Sequence, residues 1–206
     1  MIAGVPPRCW WPNGLSLPAP AGDGRRATAD SLMVAYHDQE WGVPISDDRG
    51  LFERLALESF QAGLAWVTIL RKRDAFRRAF GGFDPALVAG YGDSDRARLL
   101  ADATIVRNRA KIDATIGNAA AFLAVATSYG TFASYLASQL PRPAPTRPST
   151  ADGSGGIPST TPESDALSAV LKASGFRFVG STIVYAYMQS VGLVDDHMPG
   201  CFRYRG

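Results

Sequence analysis

Cysteine and histidine are almost absent. The 206 residues hold two of each: Cys9, His37, His197 and Cys201. So few cysteines exclude a disulfide-dense extracellular scaffold. No run of about 18 apolar residues is present, so no membrane span is expected, and no apolar leader is visible; a soluble, reducing, cytoplasmic setting is the expectation. Charge of one sign is also lacking: the net charge is +2, so any polyanionic partner has to be held by local clusters. Convincing alternating strands, internal repeats, a glycine-rich phosphate loop and a nucleotide fingerprint are missing as well. No Ser/His/Asp set can be assembled without the two histidines.

The four scarce residues fall into two pairs, one near each end: Cys9 in "PRCWW" with His37 in "AYHDQEWG", and His197 with Cys201 in "DDHMPGC". Two thiolates and two imidazoles complete a tetrahedral zinc shell with no position left for water, which is the mark of a structural site. The 28-residue gap from Cys9 to His37 is too wide for a small finger, so the pattern reads as a clasp between the ends of one domain. Spacing alone leaves satisfied core histidines, buried thiols or a Cys9–Cys201 disulfide open as alternatives.

Residues 1–30 are rich in Pro, Gly and Ala and read largely as loop. Beyond them the pattern is helical. Ser46 and Asp47 cap a helix through "LFERLALESF"; "LAWVTILRKRDAFRRAF" forms another, closed by Gly81 and Gly82; Pro85 sits in the first turn of a short one. A short helix, a tight break near 102–107 and a long helix follow, then "TFASYLASQL". The stretch 141–161 is Pro-, Ser- and Gly-rich and reads as an exposed linker inside a single domain spanning 1–206. Thr161 and Pro162 open the next helix, and the last begins near Ser181. The fold class is all-α.

Two basic clusters stand out, Arg71–Arg78 and Arg107–Lys111; on charge alone each reads as a solvated helix face. Glu58, in the apolar run "LALESFQAGLAW", is the carboxylate to examine. Gln61, Gly63 and Trp66 follow it. Gly63 interrupts the helical pattern, as glycine does where two backbones approach closely, and Tyr36 and Trp41 flank His37 with flat aromatic surface.

The blocks "AYHDQEWGVP", "LFERLALESFQAGLAWVTILRKR", "IVRNRAKIDATIGNA" and "TPESDALSAVLKASGFRFVGSTIVYAYMQSVGLVDDH" together resemble the DNA-3-methyladenine glycosylase I family, over about Arg8 to Cys201. The resemblance implies a helix-hairpin-helix DNA glycosylase-like bundle with a zinc clasp, one structural zinc per chain, its ligands being Cys9, His37, His197 and Cys201. It also implies a base pocket of Glu58, Tyr36 and Trp66, with Met33 where the family commonly has an aromatic residue. The expected activity is monofunctional: a monomer binds double-stranded DNA, flips out 3-methyladenine and hydrolyses its N-glycosidic bond. DNA contacts are expected from Thr104, Arg107, Arg109 and Lys111 at the hairpin, helped by Arg71–Arg78, with Leu64 as a wedge. Thr104 stands where the family's hairpin usually has glycine. The competing reading is a non-catalytic zinc-stabilised module that binds lesions or a protein partner.

Overall fold

Asp47 ends the approach to the central helix by accepting the Gly50 N–H, at 2.8 Å, on its carboxylate, which satisfies one of the open amides of the first turn. The helix it starts, α2 (Asp48–Gln61), buries nine of its residues, from Leu51 to Phe60. The computed structural model describes residues 7–13, 30–140 and 157–205. Among them the secondary structure is helical, without a strand.

The other helices follow the same local logic. Asp30 caps α1 (Ser31–Gln39), and Asp84 caps α4 (Pro85–Ala89), with Pro85 where its missing N–H does no harm. Helix α3 spans Trp66–Ala79 and α5 spans Asp93–Ala101. Asn108 caps the long α6 (Arg109–Tyr129), Thr131 caps α7 (Phe132–Gln139), and Thr161 exchanges hydrogen bonds with Ser164 at the start of α8 (Pro162–Ala173). The last helix, α9, is Ser181–Ser190. None of them is by itself long and apolar enough to cross a membrane.

Helix α2 packs against α3, α6, α7 and α9. The core around it is aromatic: Phe52, Phe60, Phe76, Phe80, Phe83, Phe122 and Phe132 are all buried, and Phe122 stacks on Phe132 with centroids 4.0 Å apart. Each such side chain contributes roughly 1.5–3 kcal/mol by leaving water. The turn after α9 lies against the segment after α1. Gly42 N–H donates to the Gln189 carbonyl and Ile45 N–H to that of Val191. A β-carbon on Gly192 would come within 2.6 Å of the Pro44 nitrogen, so this crossing needs a glycine.

Most of the expected linker, and most of 1–30, lie outside the described residues. The end of the linker is not a bystander: Ile157 packs on the core and Thr161 is buried.

Candidate functional site: an aromatic base pocket beside a metal clasp

Glu58 sits in the last turns of α2, 4 % exposed, at the wall of a cavity of about 170 Å³ lined also by Trp11, Met33, Tyr36, Trp41, Trp66 and Gln189. That volume is below the roughly 300–1,000 Å³ of a drug-sized site and suits one small ring system. The rings surround it. Tyr36 and Trp66 have centroids 5.2 Å apart, and Trp11 and Trp41 5.0 Å. The indole N–H groups of Trp11 and Trp66 are buried with no partner among the described residues. Burial pushes the Glu58 carboxyl up to about 8, against the opposing pull of Arg54 and of a hydrogen bond from Ser190. Arg54 is itself held by Glu40, which also takes Arg73 at 2.6 Å, and its guanidinium lies over the Tyr36 ring at 5.2 Å.

Behind this pocket Cys9, His37, His197 and Cys201 are all buried, with one potential ligand atom from each lying within 4.8 Å of the others. Cys9 Sγ is 3.7 Å and Cys201 Sγ 3.8 Å from His197 Nδ1, and Cys201 Sγ is 3.5 Å from His37 Nε2. A tetrahedral ion with Zn–S of about 2.3 Å and Zn–N of about 2.0–2.1 Å would place its ligand atoms about 3.4–3.8 Å apart, so the set fits. The imidazoles are oriented as metal ligands are. His37 Nδ1 meets Asp38 Oδ1 at 2.8 Å, and His197 Nε2 meets the Trp41 carbonyl at 3.2 Å. The Met198 N–H points at Cys9 Sγ and the Arg203 N–H at Cys201 Sγ. Burial pushes the Cys9 thiol up to about 12 and lowers His197 to about 4. The nest therefore favours a neutral imidazole and needs a cation to hold a thiolate. Both cysteines are free, without a disulfide.

The methyladenine glycosylase family profile matches residues 26–204. The chain belongs to that family. The DNA-3-methyladenine glycosylase 1 of Escherichia coli strain K12 is 47 % identical over 178 residues, covering 86 % of this chain and 94 % of that protein. A crystal structure of a 3-methyladenine DNA glycosylase I superposes with a TM-score of 0.82 at 42 % identity, covering 96 % of this chain and all of that one. A Staphylococcus aureus 3-methyladenine DNA glycosylase I, whose structure concerns 3-methyladenine recognition, has a TM-score of 0.78 at 34 % identity, over 85 % of this chain and 93 % of that one.

Within this methyladenine glycosylase fold, the sequence candidates separate. Met33, Tyr36, Glu58 and Trp66 meet around one cavity. Leu64 is 40 % exposed at the rim of an adjoining groove that shares Glu58. Gly63 does not mark a close approach: a β-carbon there would meet nothing within 4 Å, and its φ of +78° is what favours glycine. Arg107 and Arg109 are exposed beside the hairpin between α5 and α6.

Three of the expected DNA-contacting groups have partners within the protein. Lys111 is 6 % exposed, and its ammonium donates to the Phe60 and Ala62 carbonyls at 2.8 and 2.6 Å. It closes the end of α2. Thr104 gives both its N–H and its hydroxyl to Asp102 Oδ1. In the cluster 71–78, Arg71 pairs with Asp30, Arg73 with Glu40 and Arg77 with Glu53, while Lys72 binds the Thr104 carbonyl; most of its charge is already answered within the protein. Trp11, Ile157, Ala186 and Gln189 are pocket residues that the sequence does not single out. Trp11 follows Cys9 closely enough to be carried in by the clasp, whereas the other three give no local signal.

Proposed function

We propose that this protein is a monofunctional DNA glycosylase that extrudes 3-methyladenine from duplex DNA into the Glu58 pocket and hydrolyses the bond to deoxyribose. The observation that carries the reading is a buried carboxyl enclosed by four aromatic side chains in a chain of the methyladenine glycosylase family. A base inside a duplex cannot reach such a cavity without leaving the stack, and a damaged base costs less to extrude. Leu64, exposed beside the groove, fills the vacated place. Arg107 and Arg109 hold the backbone and carry no sequence information.

The chemistry asks little of the protein. A 3-methylated adenine in DNA is cationic. When the C1′–N9 bond breaks, its electron pair neutralises the purine, water adds to C1′, and that water loses a proton. Glu58 is mainly a reader. Its carboxyl, raised to about 8 by burial, is largely neutral in the empty pocket at pH 7. A cationic base draws the proton off and binds the carboxylate, through charge and through hydrogen bonds from its donor edge. An undamaged adenine offers no charge in return for that ionisation and is rejected. Tyr36 and Trp66 add stacking and cation–π attraction, and Met33 covers the same cavity as a soft apolar contact.

The clasp of Cys9, His37, His197 and Cys201 binds one zinc per chain. Its role is structural, since four protein ligands leave no site for substrate. The protein acts as a monomer. The deciding experiment is chromatography of free base released from methylated duplex DNA: the native protein releases 3-methyladenine, and Glu58→Gln releases it more slowly and binds the free base more weakly. Metal-loaded protein that releases none would refute the reading.

A further inference from the structure

We infer that Gln189 reads the exocyclic group at position 6 of the flipped purine, presenting its side-chain carbonyl as an acceptor while Asp196 holds the amide in that orientation. This rests on the glycosylase reading above. Gln189 lies in the last turn of α9, 8 % exposed, on the cavity wall it shares with Glu58 and Trp66. Its Nε2 donates to Asp196 Oδ2 at 2.7 Å, and the same carboxylate oxygen accepts the Tyr185 hydroxyl. Asp196 is buried.

A carboxylate accepts and does not donate, so the nitrogen end of the Gln189 amide, which gives one hydrogen to Asp196 Oδ2, faces that carboxylate and the oxygen is the end turned from it. Among the described residues no group donates to that oxygen. The backbone at 189 is pinned as well, because its carbonyl takes the Gly42 N–H at 3.0 Å. The amide therefore cannot turn over without setting two acceptors against each other.

With a cationic base bound, the pocket then carries two acceptors, the Glu58 carboxylate and the Gln189 oxygen. Adenine presents an amino group at position 6, with two N–H donors, and guanine presents an oxygen there. An alkylated adenine can satisfy an acceptor wall, while an alkylated guanine would face it with a third acceptor, leaving buried polar groups unpaired. In DNA both methylated bases are cationic, and once released both are neutral, so the attraction of charge to Glu58 does not separate them.

The test compares free 3-methyladenine and 3-methylguanine by quenching of intrinsic tryptophan fluorescence, alongside release of each base from methylated DNA. Native protein should bind and release 3-methyladenine in preference. If it does neither, the glycosylase reading falls and this inference with it. Gln189→Met keeps the length of the side chain but removes both polar ends. It should weaken 3-methyladenine binding roughly tenfold and narrow the preference over 3-methylguanine by a similar factor. In Asp196→Asn the new amide can donate as well as accept, so Gln189 is free to turn; 3-methylguanine binding should rise while 3-methyladenine stays within about threefold. Metal content and circular dichroism check that each variant is folded. A native protein that excises 3-methyladenine, with an unchanged preference in folded Gln189→Met, would overturn the inference alone. Should Gln189→Met not fold, an unchanged preference in Asp196→Asn overturns it equally.

Discussion

His37 Nδ1 lies 2.8 Å from the Asp38 carboxylate, and that carboxylate is gripped by Arg8, whose Nη2 stands 2.7 Å from Asp38 Oδ2. Arg8 immediately precedes Cys9, so one ion pair orients the ring of one candidate ligand in the N-terminal pair and tethers the segment carrying that pair's other member. Partners of this kind typically set metal affinity by 10–100-fold. Asp38→Ala should weaken metal binding by about that range, read by competition with a coloured chelator. An affinity equal to native would show that the ring is oriented by packing alone.

Glu58 sets stability against function. Its pKa rises from an ordinary 4.5 in the unfolded chain to about 8 in the fold, so between those values the folded state binds more protons. Stability contributed by the neutral carboxyl is fully present below about 4.5 and is lost as pH rises toward 8. Glu58→Gln should therefore be more stable than native protein at pH 8, by at most roughly 5 kcal/mol, and melt higher there, with the gap closing at pH 5. Thermal melts at the two values check this, and a native-like melt at both would mean the carboxyl is solvated.

Met33 lines the cavity beside Tyr36 and Trp66. Met33→Tyr should keep or improve affinity for free 3-methyladenine, the gain falling below the roughly 1–3 kcal/mol that an aromatic face contributes per stacked base. Fluorescence titration reads it. A large loss would mean the pocket is shaped around the thioether.

Arg107 and Arg109 are the exposed cations at the hairpin. Replacing both with Ala should weaken binding to damaged and undamaged duplex alike, and flatten the plot of log K against log salt by about 0.9 for each phosphate no longer neutralised. Unchanged slopes on both duplexes would place the DNA path elsewhere.

What the sequence discloses depends on whether a residue's role is local. The caps Asp47 and Thr161 and the placement of Pro85 announce helix starts because their hydrogen bonds span two or three residues. The four metal-binding candidates stand out because no other Cys or His competes with them. Gln189 carries no such mark; it is a plain polar residue in "YAYMQSVG", given meaning by an aspartate seven positions on and by an amide from residue 42. Lys111 misleads for a related reason. Its basic neighbours suggest a solvated face, but α6 turns position 111 inward together with Ile112 and Thr115. Arg71, Arg73 and Arg77 are answered by acids up to 41 positions away, which no short window of sequence displays.

The buried Lys111 ammonium couples two tasks that could have been separate. It belongs to the first turn of the helix that follows the hairpin, yet it grips carbonyls one and three residues before Gly63, where the chain swings out to Leu64. On the proposed reading, the part that grasps the sugar–phosphate backbone and the part that intrudes between bases then behave as a caliper with fixed jaws. The offset between the gripped phosphate and the interrogated nucleotide is then a dimension of the protein.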